Sequence, residues 1–187
     1  MNIVLFGGSF NPVHNGHLQI ISELLKKLDE VWVVPCGNHA FDKELADGDK
    51  RIEMLKLAIK NPGVKILDME IKKKEKSYSA DIVRDFRKEY PDHKFFLVIG
   101  ADNLDNLQKW HDFQFLKNEV EFIIVSRPGF ELTNKNGIRI NYVLAIENFA
   151  SSTQIRNNIE SNISIKQFVP KSVCNFLIKN EIYQNGR

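Results

Sequence analysis

The chain has 187 residues, 43% hydrophobic and 27% charged, enough to build one domain around a sizeable core and outside the collagen-like or broadly disordered classes. Its 26 Lys and Arg against 24 Asp and Glu leave a net charge of +2, too small a basic excess for a general nucleic-acid binder. No apolar run approaches the ~18–20 residues that cross a bilayer, the amino end lacks the basic start of a secretory leader, and two cysteines are too few for a disulfide scaffold. A single cytoplasmic domain, residues 1–187, with no membrane or nucleic-acid partner is therefore expected.

Along the chain, apolar runs of strand length fall at residues 3–6, 31–35, 64–67, 95–99 and 122–125. They are nearly continuous in hydrophobicity, as strands covered on both faces are. Helical spacing lies between them. Leu18, Ile21, Leu24, Leu25 and Leu28 recur at three- and four-residue steps, and so do Met54, Leu55, Ala58 and Ile59, then Ile82, Val83 and Phe86. Two further helices are predicted at about 151–160 and 170–180, the second opened by Pro170. This alternation predicts an α/β fold with a mainly parallel sheet of five to six strands, helices on both faces, and a helical C-terminal part. In such sheets ligands bind beyond the carboxyl ends of the strands, which directs attention to the loops after residues 6, 35, 99 and 125.

The first of these loops reads Gly7-Gly8-Ser9-Phe10-Asn11-Pro12-Val13-His14-Asn15-Gly16-His17. Paired glycines allow close approach of a bulky anion, and the following helix offers free amides and a positive dipole end. The string is neither a P-loop nor a dinucleotide-binding glycine turn. Instead His14 and His17 stand three residues apart where the helix opens, able to donate hydrogen bonds to one phosphate. A zinc site built from His14, His17, Cys36 and His39 is compatible with the ligand types but leaves the glycines unexplained.

Gly7–Phe10 followed by His14-Asn15-Gly16-His17 resembles the signature of the nucleotidylyltransferase superfamily, whose His-x-Gly-His motif binds ATP or CTP phosphates. The partner element of that superfamily, Ile-Ser-Ser-Thr-x-Ile-Arg, is matched by Ala150-Ser151-Ser152-Thr153-Gln154-Ile155-Arg156, with Ala150 in place of Ile. Read without the resemblance, Ser151 and Gln154 also make a helix-capping box. The middle of the chain is similar to the bacterial nicotinate mononucleotide adenylyltransferases. Gly100-Ala101-Asp102-Asn103-Leu104 with Trp110, Ser77-Tyr78-Ser79-Ala80-Asp81, Arg51-Ile52-Glu53-Met54-Leu55 and Arg127-Pro128-Gly129 follow that family's segments, with Ser79 where the family has Thr. One loop departs: the family's Pro-Pro-His-Lys is replaced by Pro35-Cys36-Gly37-Asn38-His39-Ala40-Phe41-Asp42-Lys43.

The resemblance implies a Rossmann-like doubly wound fold and adenylyl transfer from ATP, carried with Mg²⁺, to nicotinate mononucleotide, giving deamido-NAD and pyrophosphate. It implies ATP contacts at Gly7, Gly8, Ser9, Phe10, His14, His17, Gly100, Asp102, Ser151, Ser152, Thr153 and Arg156, of which His14, His17 and Arg156 would be catalytic. Acceptor contacts would come from His39, Lys43, Tyr78, Ser79, Trp110 and Arg127, with no protein-bound metal. An indole face at Trp110 suits a flat, electron-poor pyridine ring, although the same side chain could simply cover Phe113 and Phe115. Asp102 suits a ribose hydroxyl or an adenine-side donor, and also an N-cap. The alternatives are another phosphorylated acceptor (nicotinamide mononucleotide or phosphopantetheine), cytidylyl transfer, or a nucleotide-sensing module without chemistry. A homo-oligomer is compatible with the sequence.

Overall fold

The structure, a computed structural model, describes residues 1–37, 45–73, 77–126, 136–147 and 150–184. Six strands form one sheet: β1 (Asn2–Gly8), β2 (Glu30–Pro35), β3 (Val64–Ile66), β4 (Lys94–Gly100), β5 (Glu121–Ser126) and β6 (Ile140–Ala145). All pairings are parallel, in the order β3-β2-β1-β4-β5-β6. The helices are α1 (Asn15–Leu24), α2 (Gly48–Ala58), α3 (Met69–Lys72), α4 (Ser79–Glu89), α5 (Phe113–Glu119), α6 (Ser152–Glu160) and α7 (Lys171–Lys179). A 3₁₀ helix, Ala101–Lys109, follows β4. No helix among the described residues is long and apolar enough to cross a membrane.

Both sheet faces are covered, and the period of two in the strands sorts their side chains between them. Ile3 and Leu5 of β1, with Phe95 and Leu97 of β4, pack on α4, α5 and the 3₁₀ helix. Val4 and Phe6, with Phe96 and Val98, pack on α1, α2, α6 and α7. The predicted doubly wound sheet is thus present, with β6 as the sixth strand. Sequence reading had no run at 140–145, because only Leu144 of this edge strand is buried and the register slips between Phe122 and Ile123.

The strand order reverses at β1. From β1 the chain steps outward to β2 and β3, then returns to the other side of β1 to lay down β4, β5 and β6. A doubly wound sheet opens a crevice at this switch point, between the carboxyl ends of β1 and β4. Gly7 and Gly8 end one strand there, and Gly100 ends the other.

Candidate active site

The two glycines of the first loop do different work. A Cβ on Gly7 would meet nothing within 4 Å and would stand in the crevice, whereas one on Gly8 would press on the Phe10 ring at 3.2 Å. Gly7 therefore leaves room for a ligand and Gly8 for a buried aromatic. Phe10, read from sequence as an ATP contact, is wholly buried and forms no part of the cavity wall. Its ring packs edge-on against Phe6 at 5.4 Å and tilted against His17 at 4.9 Å, so it supports the imidazole.

His14 is the N-cap residue of α1, and its backbone N–H donates to Nδ1 of His17 at 3.2 Å. The two imidazoles stack with centroids 3.7 Å apart. Since Nδ1 of His17 accepts, its neutral ring carries the proton on Nε2. Burial, and after it the neighbouring His14, holds the His17 pKa well below the ordinary imidazole value. His17 is therefore a neutral Nε2–H donor near pH 7, with its tautomer fixed by the chain.

These groups open on a cavity of about 840 Å³, within the range of ligand sites and spacious for a single small metabolite. Gly7, Gly8, Ser9, His14 and His17 line one side; Gly100 and Asp102 line the rim after β4; Tyr78, Ser79 and Trp110 line the far wall. Ten of the residues singled out in the sequence thus converge from three separate segments. Tyr78 is the N-cap residue of α4, and among the described residues no side chain caps this helix, whose start lines the cavity at Tyr78 and Ser79. The Tyr78 ring stacks on His111 with centroids 4.5 Å apart. Trp110 both lines the cavity and rests on the core cluster that holds Phe113 and Phe115. Asp102 sits in the first turn of the 3₁₀ helix, where Gly100 takes the cap position.

Other wall residues carried no nucleotide-binding role in the sequence reading: Cys36 entered only through the zinc grouping and the departing loop, Ser77, Asn103 and Lys109 only as members or neighbours of family segments, and Glu70 and His111 not at all. Glu70 is 6% exposed, and burial raises the pKa of its carboxyl. Gly37 abuts it so closely that a Cβ there would lie 2.1 Å from the Glu70 carbonyl oxygen. Burial likewise raises the pKa of the Cys36 thiol. A buried glutamate in the short α3 carries no periodic signal, so only the three-dimensional arrangement reveals it.

The second motif lies behind the first loop. Ser151 caps α6 by accepting from the Gln154 N–H at 3.1 Å. Ser152 Oγ donates to the Pro12 carbonyl at 2.9 Å. Arg156 donates through Nη1 to the Asn11 carbonyl at 2.8 Å, and its Nη2 lies 3.4 Å from Thr153 Oγ1. Among the described residues, Ala150 alone of this motif lines the cavity. Buried Arg51, visible in the sequence only as part of a family segment, donates to the carbonyls of Ser9 (2.9 Å), Cys36 (2.8 Å) and Ala46 (2.9 Å).

His39, Lys43 and Arg127 lie outside the described residues, and with His39 goes the fourth member of the zinc grouping. Among the described residues no group of three or more His, Cys, Asp or Glu side chains could hold a metal ion.

A doubly wound sheet with a glycine-histidine loop at its switch point defines a nucleotide-handling α/β protein, and residues 5–158 match the cytidylyltransferase-like family. The nicotinate-nucleotide adenylyltransferase of Bacillus subtilis (strain 168) is 36% identical over 188 residues, covering 98% of each chain. A "probable nicotinate-nucleotide adenylyltransferase" of Oceanobacillus iheyensis is 34% identical, covering 99% of this chain and 98% of the relative. A solved structure of Plasmodium falciparum nicotinic acid mononucleotide adenylyltransferase complexed with NaAD superposes with a TM-score of 0.85 over 97% of each chain; at 24% identity, that likeness is one of fold. The chain belongs to the nicotinate-nucleotide adenylyltransferase family, within the cytidylyltransferase-like nucleotidyltransferases.

Proposed function

We propose that this enzyme transfers the adenylyl group of ATP to nicotinate mononucleotide, giving deamido-NAD and pyrophosphate in NAD biosynthesis, as a single cytoplasmic domain. The observation that carries the reading is the His14–His17 pair: stacked, tautomer-fixed, and set beside the ligand-facing Gly7 at the switch point. Cys36 and Cys174 are both unpaired, as suits a reducing compartment.

In this reading an acceptor phosphate oxygen attacks the α-phosphorus of ATP in line. The new P–O bond forms as the bond from the α-phosphorus to the bridging oxygen breaks, and pyrophosphate departs with that electron pair. The nucleophile is already an anion, so no general base is required, and catalysis consists of placement and charge stabilisation. The His17 Nε2–H and the His14 ring follow charge from the α- to the β-phosphate. Arg156 spends Nη1 on the loop; its other N–H groups, with Thr153 and the amides at the Ser151–Ser152 helix start, are assigned to the β- and γ-phosphates. Mg²⁺ is assigned to the triphosphate, which neutralises part of its charge with few protein ligands. The described residues offer no three-carboxylate cage to hold it otherwise.

On the acceptor side, the pyridine ring is placed against Trp110 and its carboxylate at the uncapped amides of α4 beside Tyr78 and Ser79. His39, Lys43 and Arg127 are assigned to the acceptor phosphate, while Asp102, on the ATP side, is assigned to a ribose hydroxyl or an adenine-side donor. The test is pyrophosphate release from Mg·ATP with nicotinate mononucleotide, nicotinamide mononucleotide and phosphopantetheine in parallel. Release with the nicotinate form alone is expected; equal release with phosphopantetheine would overturn the acceptor assignment.

A further inference from the structure

Groups far along the chain hold the backbone of the loop from Ser9 to His17. Arg51 takes the Ser9 carbonyl, Arg156 the Asn11 carbonyl and Ser152 the Pro12 carbonyl. The side-chain oxygen of Asn11 receives two more donors: the Ala46 N–H at 3.0 Å and the Tyr183 hydroxyl at 2.6 Å. Because a backbone N–H can only donate, Asn11 must present its oxygen here, and the phenol must donate to it.

Tyr183 lies beyond α7, 172 positions from Asn11. The chain returns to the loop by an unusual route, since Glu181 and Tyr183 both adopt positive φ, at 49° and 66°. Non-glycine residues enter this left-handed region at a cost and persist there only when their surroundings hold them. Between the two, Ile182 is buried in the same cluster as Phe10 and Val13. The turn thus seats one side chain in the core and delivers the next one's hydroxyl to Asn11, itself 2% exposed. Burial pushes the Tyr183 phenol far above its ordinary pKa, so it remains a donor throughout the working range.

We propose that Tyr183 is a positioning residue for the phosphate loop, acting through Asn11 to fix the segment that carries His14 and His17. The segment after α7 then supports the phosphate loop from outside the cavity, which none of its described residues lines. This rests on the phosphate role proposed for the two histidines. A misplacement of about 1 Å at such groups can lower turnover by roughly 100-fold, so a partial loosening should be visible in rate well before it is visible in folding.

The experiment uses Tyr183→Phe, which keeps the ring and removes the hydroxyl, together with Asn11→Ala and the double variant. Tyr183→Phe is expected to lower kcat about tenfold and raise the KM for ATP several-fold. The KM for nicotinate mononucleotide should be unchanged and the thermal midpoint within a few degrees of wild type. The double variant should be no worse than Asn11→Ala alone, since both changes break one connection. Wild-type kinetics in Tyr183→Phe, equal losses for both substrates in step with a fall in Tm, or additive effects in the double variant would each overturn the proposal. Should the wild-type enzyme not turn over nicotinate mononucleotide, the acceptor reading alone fails. Calorimetric affinity for a non-hydrolysable ATP analogue then decides the matter: several-fold weakening in Tyr183→Phe upholds the positioning role and unchanged affinity overturns it.

Discussion

The two walls of the cavity are built differently. The phosphate side is a loop braced by Arg51 from α2, Ser152 and Arg156 from α6, and Tyr183 from the segment after α7. The side assigned to the acceptor rests on the start of α4, the four-residue α3 and the 3₁₀ helix, held by apolar packing on the core and by the stacking of Tyr78 on His111. Arg84 adds an ion pair on each side, to Asp81 at the start of α4 and to Asp112 before α5, an exposed cluster of modest worth. In the proposed reading the α-phosphorus, where phosphoryl transfer tolerates little error, lies beside the braced loop, and the acceptor, which must enter, stack and leave, meets the lighter wall with fewer side-chain braces.

Removing a donor from the braced side should have the largest effect. His17→Ala is expected to lower kcat by about 100- to 1,000-fold, some 3–4 kcal/mol of transition-state stabilisation, with a native circular dichroism spectrum. The bonds from Arg51, Ser152 and Arg156 to the loop carbonyls would still define the loop although the His14 N–H loses its His17 acceptor, so the loss belongs chiefly to chemistry. A kcat within threefold of wild type would remove His17 from the mechanism.

Next comes the brace itself. Arg51→Met keeps much of the apolar stem but strips donors from the Ser9, Cys36 and Ala46 carbonyls. We expect a stability loss of about 2–3 kcal/mol in urea unfolding, because part-buried carbonyls are left without partners. Arg51 spans both walls through Ser9 and Cys36, so the KM values for both substrates should rise. A change confined to ATP would show that the β2 exit is held by other means.

The lighter wall should fail more gently and for one substrate. Trp110→Ala is expected to raise the KM for nicotinate mononucleotide about tenfold, near the upper end for loss of one aromatic stack, and to leave the KM for ATP unchanged. Equal changes in both constants would assign Trp110 to the Phe113–Phe115 core alone.

The same contrast marks what could be read from the sequence. The sheet was legible because β1, β2, β4 and β5 are apolar along nearly their whole length, and the phosphate loop because its chemistry is contiguous from Gly7 to His17. Contiguous motifs revealed the residue types of the acceptor wall, Tyr78, Ser79 and Trp110, and the cavity does gather them. The braces were not legible. Arg51 and Tyr183 lie 42 and 172 positions from the loop residues they hold, and nothing in their local spacing announces a bond to Ser9 or Asn11. The second motif was legible as a pattern, yet its Ser152 and Arg156 turn out to grip the loop's carbonyls, a use of hydroxyl and guanidinium that a pattern alone does not distinguish from phosphate binding. The four-residue α3, with Glu70, and the edge strand β6 were too short or too exposed to show a period.

The smallest effect distinguishes the walls by pH. On the phosphate side, the folded His17 pKa lies well below the ~6.5 of an unfolded chain, chiefly through burial. Its contribution to stability is whole above pH ~6.5 and declines as the pH falls toward the folded value, because only the unfolded chain takes up the proton. On the acceptor side, burial raises the Glu70 pKa above the ~4.3 of an unfolded glutamate. The penalty for burying that charge is full above the raised value and is relieved as the pH falls toward ~4.3, because the folded state is protonated first. Acidification therefore loosens one wall and relaxes the other. Urea unfolding from pH 8 to 4 should show His17→Asn losing less stability on acidification than wild type, and Glu70→Gln losing more. Parallel curves for the three proteins would mean that neither group titrates differently on folding, and would leave the contrast to geometry alone.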